Sequence, residues 1–255
     1  MHTMNPLFTI ITVCRNALEN LRVTVASVDS QTCRLYEHII VDGASTDGTV
    51  KWLLDHPSPL RHIISEPDKG IYDAMNKGLA MASGDYVVFL NAGDAFHASD
   101  TLQLYADAIM DNDYPGIVYG QTDVVDASRR RLGARHLKAP AVLTLRSFLD
   151  GMVVCHQAFV ALRRITTGYD TRWHYSADYE WCIRCLQHSR SNISLGDAVT
   201  VDYLLEGETS RHRMRSLVER FRIMCYYYGR RRAVAAHVRF IFRKLTARKG
   251  EPRNA

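Results

Sequence analysis

The first group of residues that could do chemistry lies directly after a short apolar run. Tyr86–Leu90 contains two valines and two aromatic rings, which is typical of a buried parallel strand. The chain continues through Asn91 and Ala92, turns at Gly93 and reaches Asp94. In open α/β sheets, ligands bind beyond the carboxyl ends of the strands, so Asp94 is expected to face a ligand. A carboxylate and an amide oxygen are hard ligands, which favours Mg²⁺ or Mn²⁺ carrying a diphosphate. The alternative is that Asp94 only caps the following turn or helix.

Helices and strands alternate around this position. Ile71–Ala82 carries apolar residues on one helical face, and Gly84 is expected to end this helix in the left-handed C-cap conformation. The same patterns predict the other strands at Leu7–Val13, His38–Val41, Arg61–Ser65, Gly116–Tyr119, Thr122–Asp126, Met152–Leu162 and Ala198–Leu204. They predict the other helices at Leu18–Ser30, Thr49–Asp55, Ser99–Asn112, Tyr179–His188, Met214–Tyr228 and Arg230–Lys249. Strands that alternate with helices at this spacing indicate βαβ units and a parallel sheet.

The segment from Ser65 to Asp94 resembles the inverting GT-A glycosyltransferases of family 2. That family has a G-x-x-x-A-x-N-x-G helix, followed by a strand and a D-x-D-type metal motif. The helix motif is matched here by Gly70, Ala74, Asn76 and Gly78. In the metal motif the first two acidic positions are Asn91 and Gly93, so only Asp94 remains. The resemblance implies a GT-A α/β fold with a central, mostly parallel sheet flanked by helices. It also implies that Asp94 holds a divalent cation, Mn²⁺ or Mg²⁺.

The turn after the second predicted strand carries a second resemblance to this family. The sequence VDGASTDGT, at Val41–Thr49, matches the pattern V-D-D/N-G/A-S-x-D-x-T, found where the base and ribose of the donor nucleotide bind. The match implies that Asp42 accepts a hydrogen bond from a ring N–H of the base. The resemblance places further residues in the nucleotide-sugar site, namely Thr12, Arg15, Asn16, Ser45, Lys69, Gly70, Asp73, Asn76, Asn91 and Ala92.

The turn after the first predicted strand argues against two other nucleotide-binding classes. A Rossmann dinucleotide fold has G-x-G-x-x-G at this position, whereas Cys14–Ala17 contains no glycine. We therefore expect no nicotinamide cofactor. The same absence counts against a sugar-1-phosphate nucleotidyltransferase, which needs a glycine-rich basic loop there.

The acceptor half of the predicted site is expected between Met152 and Glu180. His156 begins a segment that resembles the H-Q-A segment beside the catalytic cleft in family members of the polysaccharide- and colanic-acid-biosynthesis type. A histidine in an apolar run is, however, commonly a core residue. At the start of the following helix the family has an acidic residue that acts as the catalytic base, and Asp178 occupies that place. Inverting transfer needs such a carboxylate to remove the proton from an acceptor hydroxyl. Asp178 could instead be a helix N-cap, and Glu180 is the reserve candidate for the base.

Two basic segments have different interpretations. Leu205–His212 resembles the family's G-x-S loop, which implies a phosphate contact from Arg211, with His212 and Arg213 as further basic groups. A basic loop before a helix is the alternative. The arginine-rich segment 126–138 is expected to be a solvated loop or hairpin tip rather than a specific anion site.

The charge of the chain is concentrated in its last helices. The residues from Arg211 onwards carry 14 Lys and Arg and 2 Asp and Glu, a net charge of +12, whereas the whole chain carries +5. The predicted helix Arg230–Lys249 combines arginines with apolar residues, which favours peripheral contact with an anionic membrane surface. Nucleic-acid binding ranks lower, because the tail has no recognised nucleic-acid module. The sequence therefore predicts a GT-A domain at 1–210 and a basic amphipathic helical tail at 211–255.

Composition and cysteine usage favour a cytoplasmic location. A hydrophobic content of 47% suits a substantial core, and six scattered cysteines without a disulfide-like pattern fit a reducing compartment. Cys182 and Cys185 are expected to be helix-packed thiols rather than zinc ligands, because no second C-x-x-C exists. No apolar run is long enough to predict a transmembrane helix, and the first residues lack a signal-peptide layout.

Together these patterns predict an inverting, metal-dependent hexosyltransferase of cell-surface polysaccharide biosynthesis at the inner face of a membrane. It would transfer a sugar from a nucleoside-diphosphate donor to a glycan or lipid-linked acceptor, with no nucleic-acid partner. Two alternatives stay open. One is a non-catalytic nucleotide-sugar-binding module, suggested by the reduced metal motif. The other is a binder of an anionic surface or nucleic acid in which the tail is the functional part.

Overall fold

The protein is built around a mixed β-sheet, seen in a computed structural model that describes residues 6–205 and 213–249. The strands are β1 (Phe8–Cys14), β2 (Tyr36–Asp42), β3 (Arg61–Ser65), β4 (Tyr86–Phe89), β5 (Ala95–Phe96), β6 (Ile117–Val125), β7 (Arg131–Ala134), β8 (Phe159–Leu162) and β9 (Asn192–Leu204). The helices are α1 (Leu18–Asp29), α2 (Thr49–Asp55), α3 (Ile71–Met81), α4 (Thr101–Asp111), α5 (Ala177–His188), α6 (Arg213–Tyr228) and α7 (Arg230–Lys249). Short 3₁₀ turns lie at Leu145–Asp150, His156–Ala158 and Arg163–Ile165.

The first half of the sheet is parallel, as the alternation of strands and helices predicts. The strand order is β3-β2-β1-β4-β8-β6-β9-β5, with β7 paired to β6. β8 is antiparallel to its neighbours β4 and β6, so the sheet is mixed beyond β4. Cys14 of β1 pairs with Asp42 of β2, and Asp42 pairs with Ser65 of β3. The carboxyl ends of these strands therefore lie side by side at one edge of the sheet, where ligands bind in such folds.

One long strand takes the place of two predicted ones after α4. β6 runs from Ile117 to Val125, and its pairing with β9 shifts register between Tyr119 and Thr122. Gly120 lies at this irregularity, and a side chain there would clash with Thr200 of β9. The glycine therefore permits an irregularity within a continuous strand instead of a break between two strands.

Gly84 does not end α3 in the way that the sequence predicts. The helix ends at Met81, and Ala82 follows with φ −57° and ψ 126°, an extended conformation that any residue adopts. Gly84 does not have a left-handed φ. A Cβ atom at Gly84 would instead lie 2.7 Å from backbone atoms of Phe8 and Thr9. The glycine is needed for this close approach to the start of β1.

Both faces of the central sheet are buried. Ile11 and Val13 of β1 point into one hydrophobic cluster, and Phe8 and Ile10 point into the other. The first cluster also includes residues from the C-terminal helices, namely Ile223, Met224, Ala233 and Ala236. α6 and the first half of α7 therefore pack against the sheet-containing part of the protein. In the described ranges, none of the helices has the length and apolarity needed to cross a membrane.

The two cysteines of the C-x-x-C pair lie inside α5. Cys182 and Cys185 are both buried, as the prediction of helix-packed thiols requires. Removal from water disfavours a thiolate, and this burial raises the pKa of both thiols. They are therefore unreactive core residues at neutral pH.

Candidate active site

Asp42 organises the loops at the carboxyl ends of β1, β2 and β3. Its carboxylate is fully buried and accepts hydrogen bonds from the Ser45 N–H at 2.9 Å and the Ser65 hydroxyl at 2.7 Å. The Ser45 hydroxyl and the Cys14 thiol donate to the other oxygen. Burial and the nearby Asp42 charge raise the pKa of the Cys14 thiol. A base N–H would have to share this carboxylate with its protein donors, and base recognition by Asp42 stays a prediction.

Asn16 joins the loop after β1 to the loop after β2. Its side-chain oxygen accepts the Thr46 N–H at 2.8 Å, and its backbone N–H donates to the Ser45 hydroxyl oxygen at 2.7 Å. Asn16 has a left-handed φ of 48°, which asparagine tolerates better than most residues. Arg15, the preceding residue in the loop after β1, is exposed. The structure thus brings Arg15, Asn16 and Ser45 together with Asp42.

Thr12 lies inside the sheet. It is fully buried, its hydroxyl donates to the Leu90 carbonyl oxygen at 2.8 Å, and it lies 2.9 Å from His38 Nε2. Burial lowers the pKa of His38 to about 3, so this histidine is neutral at pH 7. The Thr12 side chain therefore connects β1 to β2 and to the residue after β4. The Thr12 side chain is not exposed, and its contact with a nucleotide sugar stays a prediction.

Four predicted residues lie in the turn before α3 or in the first two turns of this helix. Lys69 and Gly70 are exposed, and Gly70 has a φ of 122° with open space where a side chain would project. Asp73 accepts the Lys69 N–H at 3.0 Å and so holds the turn against the first residues of the helix. Asn76 lies one turn further along α3.

Asn76 connects α3 to the segment that precedes α5. Its amide nitrogen donates to the Tyr169 carbonyl oxygen at 3.0 Å, and its amide oxygen accepts the Tyr169 N–H at 2.6 Å. Both ends of the amide therefore bind the backbone of one residue, Tyr169. Asn76 therefore fixes the position of Tyr169, and its role in shaping the donor pocket stays a prediction.

Asp94 is a buried carboxylate between β5 and β9. It is 5% exposed, and its oxygens accept the Gln157 amide at 2.8 Å and the Leu204 N–H at 2.9 Å. Burial raises the pKa of Asp94 to about 7, although both of these hydrogen bonds and the charge of Arg129 lower it. The group is therefore poised to change charge near neutral pH.

The turn that contains Asp94 has oxygen atoms suited to a divalent cation. Each Asp94 oxygen accepts one protein hydrogen bond and keeps a second lone-pair direction. Asn91 Oδ1 is buried and has no hydrogen-bond partner in the part of the chain that the structure describes. Carboxylate and carbonyl oxygens are the ligands that Mg²⁺ and Mn²⁺ prefer. These residues therefore fit a cation, with fewer protein ligands than a full D-x-D motif supplies.

A second set of metal-ligating side chains lies where β5, β6 and β9 meet. One ligand atom from each of His97, Asp123 and Asp202 lies within 4.8 Å of the others. His97 Nδ1 is 2.7 Å from Asp202 Oδ1, and Arg131 forms a two-bond ion pair with Asp123 at 2.5 and 3.0 Å. A cation here would compete with both of these pairings. The sequence patterns did not indicate this group, because its members come from three separate strands or strand ends.

Asp178 lies in the first turn of α5, near the aromatic residues that line this side of the site. Its Oδ1 atom accepts the Tyr72 hydroxyl at 3.1 Å and the Tyr179 N–H at 2.8 Å. Both of these donors reach Oδ1, and neither reaches Oδ2. The N-cap of α5 is Ser176, so Asp178 is not the cap. The Tyr72 bond joins α3 to α5 through Oδ1 of Asp178, which is half-buried.

The carboxylate of Glu180, the reserve candidate for the base, is bonded to other protein side chains. Its side chain is 5% exposed and forms an ion pair with Arg184 through two hydrogen bonds at 2.8 and 2.9 Å. The Tyr227 hydroxyl of α6 also donates to it. A carboxylate that is already held by an arginine and a tyrosine hydroxyl is a poor proton acceptor for a substrate. The geometry therefore favours Asp178 over Glu180.

His156 lies in an aromatic cluster beneath the site. Its ring stacks on Phe89 at 5.1 Å and meets Trp181 edge-on at 5.6 Å, and its Nε2 atom is 2.6 Å from the Tyr169 hydroxyl. Burial lowers the pKa of His156 to about 4, while the charge of Asp178 raises it. His156 is therefore a neutral core histidine next to the candidate base, and its contact with a sugar stays a prediction.

The sequence matches known proteins over most of its length. The pattern of the family described as Glycosyl transferase family 2 matches residues 9–166. The chain belongs to glycosyltransferase family 2. An uncharacterised glycosyltransferase of Mycobacterium tuberculosis is 35% identical over 187 residues, which cover 71% of this chain and 70% of that protein. A PGL/p-HBAD biosynthesis glycosyltransferase of Mycobacterium bovis is 32% identical over 189 residues, which cover 72% of this chain and 71% of that protein. This chain is therefore a glycosyltransferase.

Solved structures place this glycosyltransferase in the GT-A fold. Residues 1–349 of the TarS protein of Staphylococcus aureus superpose with a TM-score of 0.65 and 16% identity, covering 88% of this chain and 71% of that one. The mannosyltransferase PcManGT of Pyrobaculum calidifontis gives a TM-score of 0.61 and 20% identity, covering 92% and 74%. The predicted fold class is confirmed.

Two residues that lie at the candidate site were not identified from the sequence. Asp68 lies against Gly43, where any larger residue would clash with its carboxylate, and it accepts the Gly70 N–H at 2.8 Å. Its place between the end of β3 and the first glycine of the helix motif is the signal that could have found it. Tyr72 lies within the helix motif, and only the folded structure shows that it contacts Asp178.

The predicted phosphate contact of Arg211 and its neighbour His212 lies outside the described residues. Arg213 begins α6, and its side chain also lies outside them. The predicted division of this glycosyltransferase at residue 210 likewise falls in that part of the chain.

Proposed function

We propose that this protein transfers a sugar from a nucleoside-diphosphate donor to a hydroxyl of a glycan or lipid-linked acceptor, with inversion at the anomeric carbon. The observation that carries the proposal is the hydrogen bond from Tyr72 to Asp178, at 3.1 Å. It joins the helix of the donor motif to the candidate base over 106 residues of sequence. The other oxygen of that base, Oδ2, accepts neither the Tyr72 hydroxyl nor the Tyr179 N–H and would receive the proton of an acceptor hydroxyl.

The proposed reaction is a single displacement. The acceptor oxygen attacks the anomeric carbon, and its proton passes to Asp178 Oδ2. The bond between that carbon and the diphosphate oxygen breaks, and its electron pair stays on the departing diphosphate. Attack from the side opposite the leaving group inverts the configuration, so the protein needs no nucleophile of its own. Tyr72 and the Tyr179 N–H hold the other oxygen of Asp178 and so fix the direction of the base.

A divalent cation, Mn²⁺ or Mg²⁺, is part of the proposal. Asp94 and Asn91 would hold it, and it would neutralise charge on the diphosphate. The cluster His97, Asp123 and Asp202 is the competing position for a metal. Deprotonated Asp94 is the form that binds a cation, and its pKa of about 7 means that cation binding should weaken as the pH falls below 7.

The substrate class is inferred from similar proteins. Relatives at 32–35% identity include a PGL/p-HBAD biosynthesis enzyme, and a putative teichuronic acid biosynthesis enzyme of Bacillus subtilis is 34% identical over 114 residues. TarS has been solved with UDP-GlcNAc, and PcManGT with GDP-Man and Mn²⁺. These names support a UDP- or GDP-linked hexose donor and a role in cell-surface polysaccharide or glycolipid biosynthesis.

We also propose that α7 contacts the inner face of the cytoplasmic membrane. Arg230, Arg231 and Arg232 are exposed at its start, and Val234 and Val238 are 45% and 44% exposed one helical turn apart. Arginines beside exposed apolar residues suit an anionic lipid surface. Replacing Val234 and Val238 by Asp should abolish sedimentation with phosphatidylglycerol vesicles, whereas Leu54→Asp, at a 67% exposed position of α2, should not. Unchanged sedimentation of the double variant would overturn this assignment.

The donor site can be tested by thermal unfolding with UDP, GDP, CMP and dTDP, each with Mn²⁺ or with EDTA. A nucleotide held at 100 times its dissociation constant should stabilise the fold by about 2.7 kcal/mol. We expect one nucleoside diphosphate to raise the melting temperature most strongly with Mn²⁺. If none of them raises it, the transferase proposal is wrong for this chain. If a nucleotide binds but no donor sugar is turned over and Asp178→Asn changes nothing, the protein is a non-catalytic binding module.

A further inference from the structure

Arg129 is held in a fixed position by the turn between β6 and β7. The Asp126 N–H donates to the Arg130 carbonyl oxygen at 3.0 Å, and the Arg129 N–H donates to the Asp126 carbonyl oxygen at 2.9 Å. The Asp126 carboxylate accepts the N–H groups of Ser128 and Arg130. Arg129 adopts a left-handed φ of 63° in this turn. The backbone therefore determines the direction in which the Arg129 side chain leaves the hairpin.

Arg129 differs from the two arginines that follow it. The side chains of Arg130 and Arg131 are 80% and 61% exposed and pair with Asp126 and Asp123. Arg129 is half-buried, and its Nη1 atom donates to the Gly93 carbonyl oxygen at 2.6 Å. Within residues 6–205 and 213–240 it has no carboxylate partner at ion-pair distance. The expectation of an ordinary solvated hairpin thus holds for its neighbours but not for Arg129.

The Arg129 guanidinium lies at the part of the fold where family 2 enzymes carry their metal motif. The two missing acidic positions of that motif are Asn91 and Gly93, and Arg129 contacts the second of them. Compared with a full metal motif, this turn therefore lacks two carboxylates and has one additional guanidinium beside it. Fewer carboxylates weaken the binding of a divalent cation, whereas the added positive charge attracts an anion directly.

We propose that Arg129 binds the diphosphate of the sugar donor and supplies part of the positive charge that a full metal motif would otherwise bring. A guanidinium has five N–H donors in a planar fork, of which the Gly93 contact uses one, and it can bind two phosphate oxygens at once. As the bond from the anomeric carbon to the diphosphate breaks, the electron pair moves onto the diphosphate. The nearby guanidinium stabilises that charge. The inference rests on the proposed sugar-transfer function.

The test is isothermal titration of the full chain with a nucleoside diphosphate and with the matching nucleoside, each in EDTA and in Mn²⁺. The diphosphate is the one that the nucleotide panel selects. The variants are Arg129→Gln, Arg129→Lys and the control Arg130→Gln, which removes an exposed arginine one residue away. In EDTA, Arg129→Gln should weaken diphosphate binding at least tenfold, Arg129→Lys less, and Arg130→Gln hardly at all. Nucleoside affinity should be the same in all four proteins. Saturating Mn²⁺ should restore much of the diphosphate affinity of Arg129→Gln.

The readouts separate phosphate binding from support of the Gly93 turn. If Arg129 only supports the turn, Arg129→Gln should weaken nucleoside and diphosphate alike and Mn²⁺ should not restore binding, which would overturn the inference. Equal diphosphate affinity in EDTA for Arg129→Gln and Arg130→Gln would also overturn it. Wild-type protein that binds no nucleoside diphosphate under any condition would contradict the proposed function itself. Wild-type binding without an Arg129 effect would contradict only this inference.

Discussion

Asp178→Asn should remove sugar transfer while leaving donor binding and the fold intact. An asparagine has nearly the same shape, and its side-chain oxygen can still accept the Tyr72 hydroxyl and the Tyr179 N–H that Asp178 Oδ1 accepts now. What it cannot do is take a proton from the acceptor hydroxyl. Loss of a positioned general base commonly costs 10²- to 10⁴-fold in rate, so we expect kcat to fall by about that factor.

Glu180→Gln is the matched control on the same helix. Glu180 is 5% exposed, whereas the Arg184 side chain is 21% exposed, so solvent screens part of the charge left unpaired. Breaking a buried ion pair typically costs 3–5 kcal/mol, and with this screening and the retained hydrogen bonds of glutamine we expect a loss of about 2 kcal/mol. The two variants should therefore separate: Asp178→Asn loses rate and keeps its melting temperature, and Glu180→Gln does the reverse.

The assay measures nucleoside diphosphate released per enzyme with acceptor present, next to thermal unfolding of both variants and calorimetric binding of the donor nucleotide. Asp178→Asn should bind the nucleotide within about twofold of wild type. Transfer at near the wild-type rate by Asp178→Asn, with Glu180→Gln inactive yet fully stable, would show that the base has been assigned to the wrong carboxylate.

Three further perturbations test the site and its support. The pKa of Asp94 is raised to about 7 from an unfolded value near 4, so its contribution to stability is fully present below about pH 4 and is lost as the pH rises to 7. The difference in unfolding free energy between wild type and Asp94→Asn should therefore shift by a few kcal/mol in favour of the variant between pH 4 and pH 8, and a flat difference would contradict the raised pKa. Asn76→Ala removes both hydrogen bonds to the backbone N–H and C=O of Tyr169 and should cost about 2 kcal/mol in urea unfolding. Gly84→Ala forces a Cβ to within 2.7 Å of the backbone of β1 and should cost about 2–3 kcal/mol, whereas a residue needed only as a helix stop would cost less.

The parallel half of the fold could be predicted because its signals are local. Arg61–Ser65 and Thr49–Asp55 form a strand and a helix with the predicted bounds, since each element carries its own apolar pattern and is flanked by turn residues. The role of Gly84 could not be predicted in this way. Its requirement comes from the backbone of Phe8 and Thr9, which are far away in sequence. The sequence predicts two strands in place of β6 for a related reason. The clash that makes Gly120 necessary involves Thr200, which is 80 residues away in sequence.

The site could be predicted where one residue type at one position carries the chemistry. Asp42, Asp94 and Asp178 are carboxylates at strand or helix ends, and family motifs point to each of them. The motifs left open which of two neighbouring carboxylates is the base, and the contacts of each side chain favour one of them. Asp178 and Glu180 are two residues apart and both acidic, and only the Arg184 and Tyr227 contacts show that Glu180 is committed elsewhere. Arg129 was grouped with its exposed neighbours because composition does not show that one of three consecutive arginines reaches Gly93.

α6 holds the segment that leads into the candidate base. The Glu219 carboxylate of α6 accepts the N–H groups of His174 and Tyr175 at 3.0 and 2.7 Å, and Ser216 lies 2.9 Å from Ser176, the N-cap of α5. These contacts fix the segment that leads into Asp178. A truncation that removes α6 together with α7 would therefore disturb the candidate base as well as the proposed membrane helix, and a loss of activity in it would not test lipid binding. Substitutions at Val234 and Val238 avoid this, because both side chains are exposed on α7 while Ala233 and Ala236 keep that helix packed in the core.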